Sequence, residues 1–263
     1  MNMLGSAIGS DEYVARHIDV ECTKPTLEAL ASLQELKDPQ VALTLLRNCT
    51  GFCKFVHVLR TTPPGPLVSA AAIAFDNAML AAFDKFYGPL PQKVHAQIQR
   101  ATRIGGIGLR SAAQHHAAAY VASVTTCARL DNWDPHDAIG YDRCLAAAST
   151  ATGVDATSVQ KMTQREISRA VDDAAFGKEI LSSCVADADR LRAQSGPHAA
   201  DWLGVLPNKE MGFAFTPVEH VKLVRWWLGQ PVYTEEQPCR QCGSPNDVGG
   251  YHALVCRCWG GRI

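Results

Sequence analysis

The sequence predicts a mostly α protein: a helical bundle followed by a small C-terminal metal knuckle. Apolar residues recur at intervals of three and four through most of the chain, the helical signature. Cap residues followed by proline mark several helix starts, and four cysteines crowd into the last 25 positions. Strand signals are sparse, with period-two alternation confined to short runs such as Gly212 to Phe215.

Taken in order, Thr26 to Lys37 carries Leu27, Leu30, Leu33 and Leu36 three apart, which reads as a helical stripe. Asp38-Pro39 supplies a cap and a first-turn proline. From Val41 the stripe Leu45, Leu46, Cys49, Phe52, Cys53, Val56, Leu59 predicts about five helical turns, ended by Pro63, Pro64 and Pro66. Ala70, Ile73, Ala74, Leu80 and Phe83 predict a third helix, closed by Gly88-Pro89, and Val94 and Ile98 a shorter one. Glycines interrupt the pattern at Gly105, Gly106 and Gly108, after which Ser111 caps a helix with Tyr120, Val121, Val124 and Cys127 on one stripe. Asp134-Pro135 repeats the cap-and-proline signal, and Thr163 with Glu166 forms a capping box before one broken helix or two successive helices up to Gln194. Ser195-Gly196-Pro197 stops that run; Thr216-Pro217 with Glu219 opens the last long helix, and Gly229 closes it.

Composition narrows the function classes. Lys plus Arg total 25 and Asp plus Glu 26, so no global positive field exists to hold a polyanion. No stretch approaches eighteen uninterrupted apolar residues, and the start has neither a basic nor a long apolar signal region, so a soluble intracellular protein without a membrane partner is expected. Cys22, Cys49, Cys53, Cys127, Cys144 and Cys184 read as small buried residues in a reducing compartment.

The other four cysteines carry chemistry. Cys239 and Cys242 are spaced so that two thiolates of one tight turn can face one cation, and His252 and Cys256 can complete a tetrahedron. The residues between the pairs, among them Gly243, Pro245, Asn246, Asp247, Gly249 and Gly250, are turn formers suited to folding back over a metal. Four protein ligands leave no position for water, so Zn2+ held there would be structural; Cys258 is an alternative to Cys256 or His252 as ligand.

A second local signal is a stretch without acids. Between Lys85 and Arg129 there is no Asp or Glu, and Lys93, Arg100, Arg103 and Arg110 flank the turn built on Gly105, Gly106 and Gly108. Such a segment could lie along a phosphate backbone, or be a solvated helix face and an ordinary loop. Catalytic candidates are weak. The adjacent aspartates Asp172 and Asp173 lie within a helical stripe and not on the hairpin a polymerase pair occupies, and His115 and His116 read as surface residues.

Together these elements resemble the region downstream of the polymerase active site in non-LTR retrotransposon reverse transcriptases. Leu4 to Ser10 is similar to the L-G-x-P-I-G segment, with Ala7 in the place of proline. Leu59 to Pro64 and Gly105 to Ser111 resemble thumb-region signatures, and Ser195 to Trp202 with Trp227 to Pro231 the linker before the knuckle. Cys239, Cys242, His252 and Cys256 match the family's Cys-Cys-His-Cys ligands; Gly250-Tyr251 replaces its usual Gly-Asp, which removes a carboxylate from beside the histidine.

The resemblance implies three regions: 1–130, thumb-like with a remnant of the palm; 131–230, a helical linker; and 231–263, the knuckle. It implies a non-catalytic fragment that positions RNA or DNA, with the polymerase carboxylates and endonuclease lying outside this chain as partners, and a nuclear location. Two other readings stay open: a helical scaffold whose knuckle binds a protein, and a degenerate element remnant without activity.

Overall fold

The computed structural model describes residues 1–3 and 5–258; Leu4, the first residue of the L-G-x-P-I-G-like segment, lies outside them. The fold is mostly helical, as the periodicity predicts. A two-residue antiparallel ladder, β1 (Asn2–Met3) with β2 (Ser6–Ala7), leads into α1 (Asp11–Ile18), where the Ser10 hydroxyl accepts the Tyr13 N–H. A π-helical stretch, Asp19–Thr23, carries α1 directly into α2 (Lys24–Gln34). Of the leucines spaced by three, only Leu30 and Leu33 are buried, while Leu27 and Leu36 are exposed. Steps of three drift by about 60° each around a 3.6-residue helix, so the run cannot keep to one face.

The five-turn helix expected after Asp38 is two. Asp38 caps α3 (Pro39–Asn48) by accepting the Gln40 and Val41 N–H groups, and α4 (Val56–Thr61) follows a short 3-10 turn at Phe52–Lys54. The break has a cause at Gly51, where a Cβ would lie 2.9 Å from the Leu46 carbonyl oxygen. The chain folds back over the end of α3 there, and only glycine permits so close an approach.

Helix α5 (Pro66–Tyr87) is long and apolar enough to cross a membrane by length and composition alone, yet it runs through the centre of the bundle. Val68, Ala72, Phe75, Met79, Phe83 and Tyr87 face the core, whereas Ile73 points outward. Helix α6 (Gln92–Gln99) buries Val94 and Ile98. The glycine turn then delivers the chain to α7 (Ala112–Asp131), capped by the Ser111 hydroxyl as its sequence predicts. The buried carboxylate of Asp76, on α5, accepts the Ser111 hydroxyl at 2.6 Å and the Ala112 N–H at 2.7 Å, so a neighbouring helix reinforces the cap.

Asp134-Pro135 produces only a 3-10 turn, and α8 (Tyr141–Thr152) starts later. After a single turn, α9 (Ala156–Val159), the predicted broken run appears as α10 (Gln164–Ser182) and α11 (Val185–Gln194), with the Thr163–Glu166 capping box in place. The Thr216–Glu219 box likewise opens α12 (Pro217–Trp227). The short alternating run at Gly212 to Phe215 is a loop; the Gln40 side chain brackets it, donating to Phe213 O at 2.9 Å and accepting from Phe215 N at 3.0 Å. A single amide thus takes the place of a strand partner.

Two apolar cores result. The first gathers side chains from α1 to α7 with Leu203, Val224, Trp227 and Leu228; the second joins α7, α8, Val159 and Ile167. Alanines along α7 make it the wall shared by both, since Ala119 faces the first and Ala118 the second. Burying each large aliphatic or aromatic side chain contributes about 1.5–3 kcal/mol. The segment 198–228 therefore closes over the N-terminal helices, with Trp202 edge-on to Trp227 at 5.6 Å between ring centroids.

Candidate metal centre and glycine turn

Beyond α12 the chain is held to the bundle by a few contacts. Arg225 donates to Pro231 O and Tyr87 O and Lys222 sits over the Tyr233 ring, while within the segment itself the Val232 and Tyr233 N–H groups both donate to Val248 O. A ladder of β3 (Gln237–Pro238) with β4 (Pro245–Asn246) brackets the first cysteine pair. Within it Cys239 N donates to Ser244 O and Gly243 N to Cys239 O, both at 2.8 Å, with Gly243 at φ +74°. The short α13 (Tyr251–Val255) carries His252, and Cys256 follows it, its N–H donating to His252 O.

These pieces bring the ligand atoms of Cys239, Cys242, His252 and Cys256 within 4.8 Å of one another, a group that could hold a metal ion. Cys239 Sγ and Cys256 Sγ are 3.8 Å apart. Metal–sulfur bonds of about 2.3 Å in a tetrahedron require a sulfur–sulfur edge of about 3.8 Å. Cys242 Sγ lies 3.2 Å from His252 Nε2. Cys256 is buried and belongs to the group, whereas the alternative ligand Cys258 is exposed and lies outside it.

Local hydrogen bonds prepare two of the three thiols, Cys239 and Cys242, for a cation, while the Cys256 thiol is raised. The Ser244 hydroxyl and N–H push the Cys242 thiol down to about 6, and the Gln241 and Cys242 N–H groups lower Cys239, which favours the thiolate that ligates metals. The carboxylate absent from position 251 has a counterpart that the sequence marks only as a turn former. Asp247 accepts the Tyr251 and His252 N–H groups at 3.4 and 3.2 Å, which fixes the turn that aims the histidine.

The basic segment is arranged differently. Arg100 is buried and ion-paired with Glu179; Arg103 reaches Asp173 at 2.6 Å and Arg110 reaches Asp172 at 3.1 Å. The acids missing from 85–129 are supplied by one face of α10. Lys93, by contrast, is exposed at the start of α6. Gly105, Gly106 and Gly108 are packed inside the fold, with Gly105 O accepting from Gln97 Nε2 and Trp227 Nε1. A Cβ on Gly106 would lie 2.0 Å from Arg100 O. This turn is a packing joint between α6, α11 and α12, and its N–H groups donate within the turn, Gly105 to Thr102 O, Gly106 to Ala101 O and Gly108 to Arg100 O.

Asp172 and Asp173 anchor that joint. Asp172 is buried, with His115 Nε2 at 3.4 Å but poorly aligned for a hydrogen bond. The surface positions expected for the two histidines are corrected: His115 and His116 are both buried, and His116 Nε2 meets Thr62 O at 3.1 Å. Alanine neighbours along α7 leave room for both rings, a feature that the 100° offset between adjacent helical residues does not reveal. Most of the cysteines expected inside are also outside: Cys49, Cys53, Cys127 and Cys184 are exposed, Cys22 is half-buried, and Cys144 alone among these six is buried.

Comparison with models of protein families, with curated proteins and with solved structures finds no match to this chain.

Proposed function

We propose that the chain is a non-catalytic nucleic-acid-positioning module: a helical body carrying a structural zinc knuckle, derived from the post-palm region of a non-LTR retrotransposon reverse transcriptase. The observation that carries this reading is the four-ligand cluster, whose sulfur–sulfur edge fits a tetrahedral thiophilic cation and whose closed set leaves no place for a catalytic water. The ordered sequence signatures support the family assignment. Within the described knuckle, Arg240 and Arg257 are exposed next to ligand cysteines and offer phosphate contacts that the internally paired Arg103 and Arg110 do not.

Two measurements test it. Metal analysis of the purified protein is expected to give one zinc per chain, lost in Cys239→Ser/Cys242→Ser. Filter binding with single-stranded RNA and DNA is expected to weaken as salt rises, and more weakly still after Arg240→Ala/Arg257→Ala. Absence of stoichiometric metal, or affinity indifferent to salt, sinks the proposal.

A second reading is a scaffold whose partner is a protein. It is favoured by the internal neutralisation of the basic segment and by the loop before α12 with that helix's first turn, which together leave Leu206, Met211, Phe213, Phe215 and Val218 exposed in one stretch. Pull-down from nuclease-treated lysate separates the two: partners that persist support the scaffold, and partners that vanish with the nucleic acid reject it.

A further inference from the structure

We propose that the cleft between α6, α10 and the start of α11 is a binding site for a phosphate monoester. The cleft encloses about 740 Å³, within the range that holds a nucleotide-sized ligand. Four cationic side chains line it: Lys93 of α6, Arg100, Lys178 of α10 and Arg190 of α11. Three carboxylates line it too, and each is already matched: Asp172 by Arg110 and His115, Glu179 by Arg100, and Asp187 by Arg190. Among the described residues neither Lys93 nor Lys178 has a carboxylate within ion-pair distance, so two ammonium groups remain to face a dianion.

Two independent features border the same space. Arg100 is 5% exposed, its guanidinium stacks over Phe176 at 5.1 Å, and its Nη1 has no hydrogen-bond partner. A buried cationic donor left unpaired is costly, and an acceptor oxygen from a ligand would relieve it. The other feature is the N-terminus of α11. Cys184 precedes it in an extended conformation without a side-chain cap, and Ser183, Cys184 and the first-turn Asp187, which is paired with Arg190, all line the cleft, so the uncapped first turn borders it. A phosphate oxygen set matches this mixture of one fork donor, two point charges and backbone amides better than a carboxylate, which has two oxygens and one charge.

The inference does not rest on the metal centre or on the family assignment. Its test is isothermal titration of the full chain with inorganic phosphate and with adenosine 5′-monophosphate, and of Lys93→Ala/Lys178→Ala beside it. Both lysines are exposed, so the variant keeps its fold. Wild type is expected to bind the phosphates, and the double variant at least about ten-fold more weakly, the effect of losing a charge-assisted contact. Arg100→Gln, checked for helix content by circular dichroism, is expected to weaken binding further. An oligonucleotide with and without a 5′-phosphate distinguishes a strand end from a free nucleotide as the source. No heat with either phosphate, or equal affinity in wild type and the lysine variant, overturns the site; loss of RNA binding or of zinc leaves it standing.

Discussion

In the knuckle, Cys239, Cys242, His252 and Cys256 converge from 18 consecutive residues with almost no apolar core beneath them, whereas Arg100, Arg103 and Arg110 find their partners about 60 to 80 residues away on α10. The first cluster is assembled by turns and has a use only if something outside the chain is added. The second is assembled by the tertiary fold and, apart from the unpartnered Nη1 of Arg100, is consumed in building it. Both look equally chemical in the sequence, so residue type and density alone do not separate a site from a brace; what separates them is whether the complementary charge comes from the same molecule.

The largest effect should follow from breaking the brace. Asp172→Ala leaves Arg110 and His115 facing an uncompensated gap in a buried setting, and a loss of about 3–5 kcal/mol is expected in urea unfolding. Its neighbour Asp173 makes partly exposed pairs with Arg103 and Arg169, so Asp173→Ala should cost at most about 1 kcal/mol. Equal effects at the two positions would mean that burial does not govern this joint. Gly106→Ala comes next. Its Cβ would collide with a backbone carbonyl that no side-chain rotation can clear, and about 3 kcal/mol or more is expected, with the melting temperature as readout.

How far the two regions were legible follows from the range of their interactions. The knuckle needs only near neighbours, so ligand spacing and turn residues foretell it, as they do the capping boxes at Thr163 and Thr216. The break between α3 and α4 was hidden because Gly51 acts through contact with the end of α3, which a periodicity count ignores. The burial of His115 and the pairing of Arg110 were hidden because Asp172 lies 62 residues from that arginine. Asp247 was read only as a turn former for a different reason: it serves the backbone at Tyr251 and His252 and not a side chain, a role that a turn residue placed just before a short helix does not announce.

Between the two regions lies α12, whose His220 gives a pH handle on the body alone. Burial lowers this imidazole from 6.5 to about 4, and Nδ1 sits 3.2 Å from the Tyr87 hydroxyl. The unfolded chain therefore binds this proton more readily than the folded one. Stability is full above about pH 6.5 and falls as the pH drops toward 4, by roughly 2–3 kcal/mol from this residue. Unfolding midpoints measured between pH 7 and pH 4.5 should show that slope, and His220→Asn should flatten it; an unchanged slope assigns the acid sensitivity elsewhere.

The smallest effect on the body should come from removing the metal, and that asymmetry is the sharpest test of the comparison. Chelation would deprive the knuckle of any ion that its four ligands could hold, and small metal folds of this kind lose their structure without it. The body has its own two apolar cores, and among the described residues Arg225 to Pro231 O and Lys222 over the Tyr233 ring tie the segment beyond α12 to it. Chelator is therefore expected to expose the segment 234–256 to protease while the far-UV helical signal and its thermal midpoint shift by no more than about 1 kcal/mol equivalent. If the helices melt together with the knuckle, the two regions form one cooperative unit, and the distinction between a site completed from outside and a brace completed from within fails for this molecule.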